Sequence, residues 1–96
     1  MLEKIYSNGL CWDLELKGWS IAQLMGFRVQ YRDKEVGIYY ADIVVDGKVI
    51  VEVKSVDRLD DIHRAQLLNY LRLSGVKVGL LINFSKTKLE YERLVD

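Results

Sequence analysis

Ninety-six residues, half of them hydrophobic, suffice for one modest core and not for two, so a single domain over residues 1–96 is expected. Lysine plus arginine equals aspartate plus glutamate at 14 each, which excludes a global positive field drawing the protein to nucleic acid and leaves only a local patch for that purpose. The single cysteine, Cys11, excludes an internal disulfide, no run of about 18 apolar residues could span a membrane, and with no charged, apolar-cored leader at the start a cytoplasmic protein is expected.

Leu2, Ile5, Tyr6, Leu10 and Leu14 recur at three- and four-residue intervals, predicting an amphipathic helix from near residue 2 to about Lys17, stopped by Gly18. Glu3 falls on its first turn, where an acidic side chain complements the helix dipole whatever else it does. Cys11 reads as a buried helix residue, and Trp12 and Trp19 as core or interface. Trp19 to Leu24 and Phe27 to Arg32 read as two strands or one kinked strand, with the bend at Met25-Gly26. Arg28, Gln30 and Arg32 alternate with Phe27, Val29 and Tyr31, a wet face that either meets phosphates or is simply solvated. Asp33 to Gly37 is the expected turn into the next hairpin.

That hairpin, Tyr40 to Lys54, sets charged side chains among β-branched neighbours. Glu52 and Lys54 lie two apart on an otherwise apolar run, so they share a face. A charge left in an apolar sheet costs several kcal/mol or more unless it is paired or bound to metal. A divalent cation answers the need: Asp42 and Glu52 offer two carboxylates, and a strand carbonyl such as that of Val53 a third oxygen. A strict two-residue turn at Asp46-Gly47 would pair Asp42 with Val51 and send it to the opposite face from Glu52. A three-residue loop Asp46-Gly47-Lys48, or a bulge, restores the common face, and the irregular hairpin is predicted.

Asp60 or Asp61 can cap a second helix running to Ser74, with Gly75 at its end. Leu59, Ile62, Ala65, Leu68 and Leu71 form its expected apolar stripe, with His63, Gln66 or Leu67, and Tyr70 alongside. His63, the one histidine, excludes a multi-histidine metal site and reads as a capping or packing residue. Val76 to Asn83 and Leu89 to Val95 read as strands, the last an edge strand able to pair with its twin in a homodimer. A helix between the central hairpin and Val76 implies a crossover and a mixed sheet with helices on both sides.

Asp42, nine intervening residues, then Glu52-Val53-Lys54 resembles the PD-(D/E)XK nuclease signature, with Ala41 where proline often stands. Gln66 and Tyr70 stand four apart, like the additional Gln-x-x-x-Tyr motif of the RecB-like branch. Glu3-Lys4-Ile5-Tyr6, Gly18, the hairpin, His63 to Leu71 and Val78 to Phe84 together resemble the small GxxExxY proteins over nearly the whole chain. The leading glycine of that motif would precede Met1, so the chain is expected to begin late or to be a trimmed version.

The resemblance implies an α/β fold with the restriction-endonuclease-like αβββαβ core, its mixed central sheet flanked by helices. It implies a Mg²⁺-dependent nuclease, with Mn²⁺ as substitute, hydrolysing phosphodiester bonds in DNA. Asp42, Glu52 and the Val53 carbonyl would hold the ion, and Glu3 would extend the acidic cluster. Lys54 would orient the attacking water, Gln66 would orient Lys54 or the phosphate, and Tyr70 would donate to a phosphate oxygen. For Gln66 and Tyr70 the competing account is helix packing against the sheet. Lys48, Arg28 and Arg32 are expected to supply most of a basic rim. The competing function is a non-catalytic nucleic-acid-binding or protein-interaction module that keeps the nuclease fold.

Overall fold

A computed structural model describes residues 2–96. Among these, the chain forms α1 (Leu2–Leu16), β1 (Ile21–Tyr31), β2 (Lys34–Val45), β3 (Val49–Lys54), α2 (Asp61–Ser74), β4 (Val78–Phe84) and β5 (Leu89–Val95). The strands make one sheet in the order β1-β2-β3-β4-β5. The β3–β4 pair, joined through α2, is parallel, and the other pairs are antiparallel. This is the mixed α/β architecture of the restriction-endonuclease-like core.

One helix covers each face. Cys11 of α1 packs with Ile43, Val51 and Val53, with Tyr6 and Leu10 beside them. Leu67 and Leu71 of α2 pack with Ala41, Val44, Ile50 and Leu81. Gly79 of β4 permits the close approach of α2, because a Cβ there would stand 3.0 Å from both terminal carbons of Leu67. Gly18 adopts φ +92°, and the Trp19 amide beyond it donates to the Leu14 carbonyl at 3.1 Å, closing α1. Asp60 caps α2 by accepting from the amides of Ile62 and His63, while the Asp60 amide donates to His63 Nδ1. His63 is thus a capping residue.

Several expectations need correction. Of the stripe expected for α2, Leu59, Leu68 and Leu71 do pack into the core, but Leu67 joins them there, while Ile62 is 77% exposed and Ala65 also faces solvent. Apolar residues occupy both stripes of this helix, so periodicity did not fix its rotation; the space above Gly79 does. Trp12 and Trp19 are exposed rather than core. Residues 34–37 belong to β2, and the turn is the tight pair Arg32-Asp33, both at positive φ, between paired Tyr31 and Lys34.

The bend in β1 falls at Leu24, φ +53°, and not at Gly26. Gly26 instead makes room across the ladder, since a Cβ there would lie 3.2 Å from both Ile38 and Tyr40 side chains. Opposite Leu24 stands Asp42, and the β1–β2 pairing skips this one position between Gln23↔Ile43 and Met25↔Ala41. The break positions the site.

Candidate active site

The connection between β2 and β3 is the three-residue loop Asp46-Gly47-Lys48, flanked by paired Val45 and Val49, with Asp46 at φ +53° and Gly47 at φ +67°. In that register Ile43 meets Val51 and Val44 meets Ile50, and one more step would set Asp42 opposite Glu52. The ladder ends before that step. Tyr39 and Ala41 pack toward α2, whereas Ile43 and Val45 pack toward α1, although all four are odd-numbered. Strand alternation therefore slips at Asp42, where neither neighbouring strand pairs with it, and its amide is free to donate to Glu52 Oε2 at 3.3 Å.

Glu52 is only 6% exposed. Its Oε2 also accepts from the Tyr39 hydroxyl at 3.2 Å. Burial, then the charge of Asp42, pushes the Glu52 carboxyl up to about 7, against which the Asp42 amide, Tyr39 and Lys54 work. Burial also raises Asp42, offset by the Val53 amide, Lys54 and a hydrogen bond from Glu52, and reinforced by Glu3. Without a cation, Glu52 is therefore only partly ionised near neutrality. Lys54 Nζ donates to Gln66 Oε1 of α2 at 3.0 Å. Glu3 Oε2 accepts from the Ser55 amide at 3.2 Å, tying the start of α1 to the end of β3.

Asp42 and Glu3 also line a cleft of about 220 Å³ with Lys4, Ser7, Gln23 and Leu24. Glu52 adjoins it through the Asp42 amide, and Lys54 is tied to Gln66 of α2. Tyr70 is not in this cleft; its ring stacks on that of Tyr39 at 4.2 Å. Burial, then the charges of Glu52 and Asp42, raises the Tyr70 hydroxyl above its ordinary value.

The family model of the PD-(D/E)XK nuclease superfamily matches residues 1–94. The chain belongs to that superfamily. The fold is also similar to that of the crystal structure of SSO0001, with a TM-score of 0.73 and 18% identity over 99% of this chain and 50% of that one. The chain thus spans half the length of that protein, and a likeness at this identity shows the fold alone. No curated protein matches the chain.

PD-(D/E)XK nucleases generally use divalent metals. Among the described residues of this superfamily member, no three histidine, cysteine or carboxylate side chains cluster closely enough to cage an ion by themselves. The donors present suit a hard cation that keeps much of its water. Burial disfavours the ionised form of both Asp42 and Glu52, for Glu52 with the charge of Asp42 added, a penalty of the sign a cation relieves.

The basic rim is dispersed. Arg28 pairs with Glu35 at 3.5 Å, and Arg32 sits over the Tyr31 ring at the β1–β2 turn. Lys48 lies at the other end of the ribbon, roughly 30 Å from that turn at the usual strand rise. The cation beside the acidic cleft is Lys4. Sequence reasoning also passed over Tyr39, which nothing in its spacing separates from exposed Tyr40. It passed over Asn83 as well, a fully buried polar residue whose place in the apolar run VGLLINF was the available signal.

Proposed function

We propose that this chain is a Mg²⁺-dependent nuclease, able to use Mn²⁺, that hydrolyses phosphodiester bonds in DNA. The observation that carries the reading is the break at Asp42, which brings two carboxyls together beside a lysine in a member of a nuclease superfamily. Asp42 and Glu52 are the ion's side-chain ligands, with the Val53 carbonyl as a backbone donor. When bound, the cation neutralises phosphate charge and acidifies water. Lys54, held by Gln66, orients the attacking water and counters charge on the phosphate. Glu3 borders the acidic end of the cleft and Lys4 offers a phosphate contact. The Gln66 and Tyr70 spacing on α2 supports the RecB-like assignment, and the extent of the motif match supports the GxxExxY family. Tyr70 acts through Tyr39 rather than on phosphate.

The test is cleavage of end-labelled single- and double-stranded DNA in Mg²⁺ or Mn²⁺. Asp42→Asn and Lys54→Ala should each lower the rate by about 10²-fold or more, the scale of losing one transition-state contact. The dispersal of Arg28, Arg32 and Lys48 favours a second reading, a non-catalytic module on the same fold. Metal binding without cleavage of any DNA or RNA substrate would select it.

A further inference from the structure

Tyr39 lies three residues before Asp42 on β2, in regular register with Phe27 of β1. Its ring stacks on Tyr70 at 4.2 Å and 19° and on Phe27 at 6.1 Å and 20°, so it is held from α2 on one side and from β1 on the other. Its hydroxyl points to Glu52 Oε2, the same oxygen that accepts from the Asp42 amide. Two donors thus converge on one carboxyl oxygen and leave the lone pairs of Oε1 to other partners. The last torsion of a glutamate is broad and soft, so nothing in the side chain itself fixes this orientation.

We propose that Tyr39 is a positioning residue for Glu52, and that the Phe27–Tyr39–Tyr70 stack exists to hold the Tyr39 hydroxyl in place. The proposal rests on the metal-site reading above. Fixing Oε2 leaves Oε1 as the Glu52 oxygen that a cation shared with Asp42 would take. Tyr70 enters the chemistry only through this stack: it braces the tyrosine that braces the ligand. Partners that orient metal ligands in this way carry about 10–100-fold in metal affinity.

The experiment is calorimetric titration of MnCl₂ into the wild-type protein, Tyr39→Phe, Tyr70→Phe and Tyr40→Phe, with melting temperatures of each metal-free protein. Tyr39→Phe keeps the ring and the stack and removes only the hydroxyl. Its Mn²⁺ affinity should fall about 10–100-fold with little change in melting temperature. Tyr70→Phe preserves the stack and should bind as the wild type does, as should Tyr40→Phe. Replacing Tyr70 by leucine removes the brace and should reproduce part of the Tyr39→Phe loss, which gives a second route to the same conclusion. Wild-type affinity in both Tyr39→Phe and Tyr70→Leu overturns the proposal while leaving the metal site standing. A wild-type protein that takes up no Mn²⁺ overturns the metal site and this proposal together.

Discussion

Glu52 is a carboxyl group placed where its charge is disfavoured, and its behaviour with pH follows. Folding raises its pKa from an ordinary 4.5 to about 7, through burial and the neighbouring Asp42. Below 4.5 both states are protonated and there is no penalty. Between 4.5 and 7 the unfolded chain ionises while the folded one keeps its proton, so metal-free stability falls as pH rises, and above 7 the loss levels off. The loss is on the order of 1–3 kcal/mol, measurable by urea melts at pH 5 and pH 8. Glu52→Gln mimics the protonated acid, so its melts should be nearly independent of pH over this window. A divalent ion takes the place of the Glu52 proton, so its binding should release protons, most strongly near and below pH 7. Calorimetry in two buffers of different ionisation enthalpy measures the number released.

At the scale of elements, the central hairpin was legible because parity is a hard constraint. A strict two-residue turn would part Asp42 from Glu52 and Lys54, and the three-residue connection Asp46-Gly47-Lys48 avoids it. The position of the β1 bend was not legible, because Leu24 carries no turn signal. Leu24 takes a left-handed backbone where the β1–β2 pairing skips the position opposite Asp42. The face of α2 was legible in part, through Leu59, Leu68 and Leu71; Ile62 and Leu67 are equally apolar, and only the sheet below decides between them. Asn83 shows how the site's far wall is fixed. Its amide accepts from the Val56 amide and donates to the Val56 carbonyl, both at 2.9 Å, and donates to Glu90 at 2.9 Å. These bonds pin the exit of β3, whose Ser55 amide holds Glu3. Asn83→Ala leaves partly buried backbone groups of Val56 unpaired and should cost roughly 1–3 kcal/mol in chemical denaturation.

The whole molecule has no net charge, and three of its six arginines are paired: Arg28 with Glu35, Arg64 with Glu92 and Asp61, and Arg72 with Asp96. With Lys4 and Lys54 as the contacts, the dependence of DNA affinity on salt should be shallow, with a log–log slope near about −2. Fluorescence anisotropy over a salt series measures it, and a slope of about −6 or steeper would locate a basic surface elsewhere. Among the described residues no helix is long and apolar enough to cross a membrane. Trp12 at 65% and Trp19 at 50% exposure stand on the α1 side, away from Tyr39 and Tyr70.

The central claim is that the carboxyls at the β2–β3 break exist to hold a cation and not to brace the fold. Thermal melts of the wild type and Glu52→Gln, each with and without Mn²⁺ at pH 8, test it most directly. Metal-free Glu52→Gln should melt at or above the wild-type temperature, because the substitution removes a buried charge beside Asp42 and keeps the acceptor for Tyr39. Mn²⁺ should raise the melting temperature of the wild type alone. A Glu52→Gln protein destabilised by several kcal/mol without metal, alongside a wild type that Mn²⁺ does not shift, would contradict the account and make the cluster a structural ion pair.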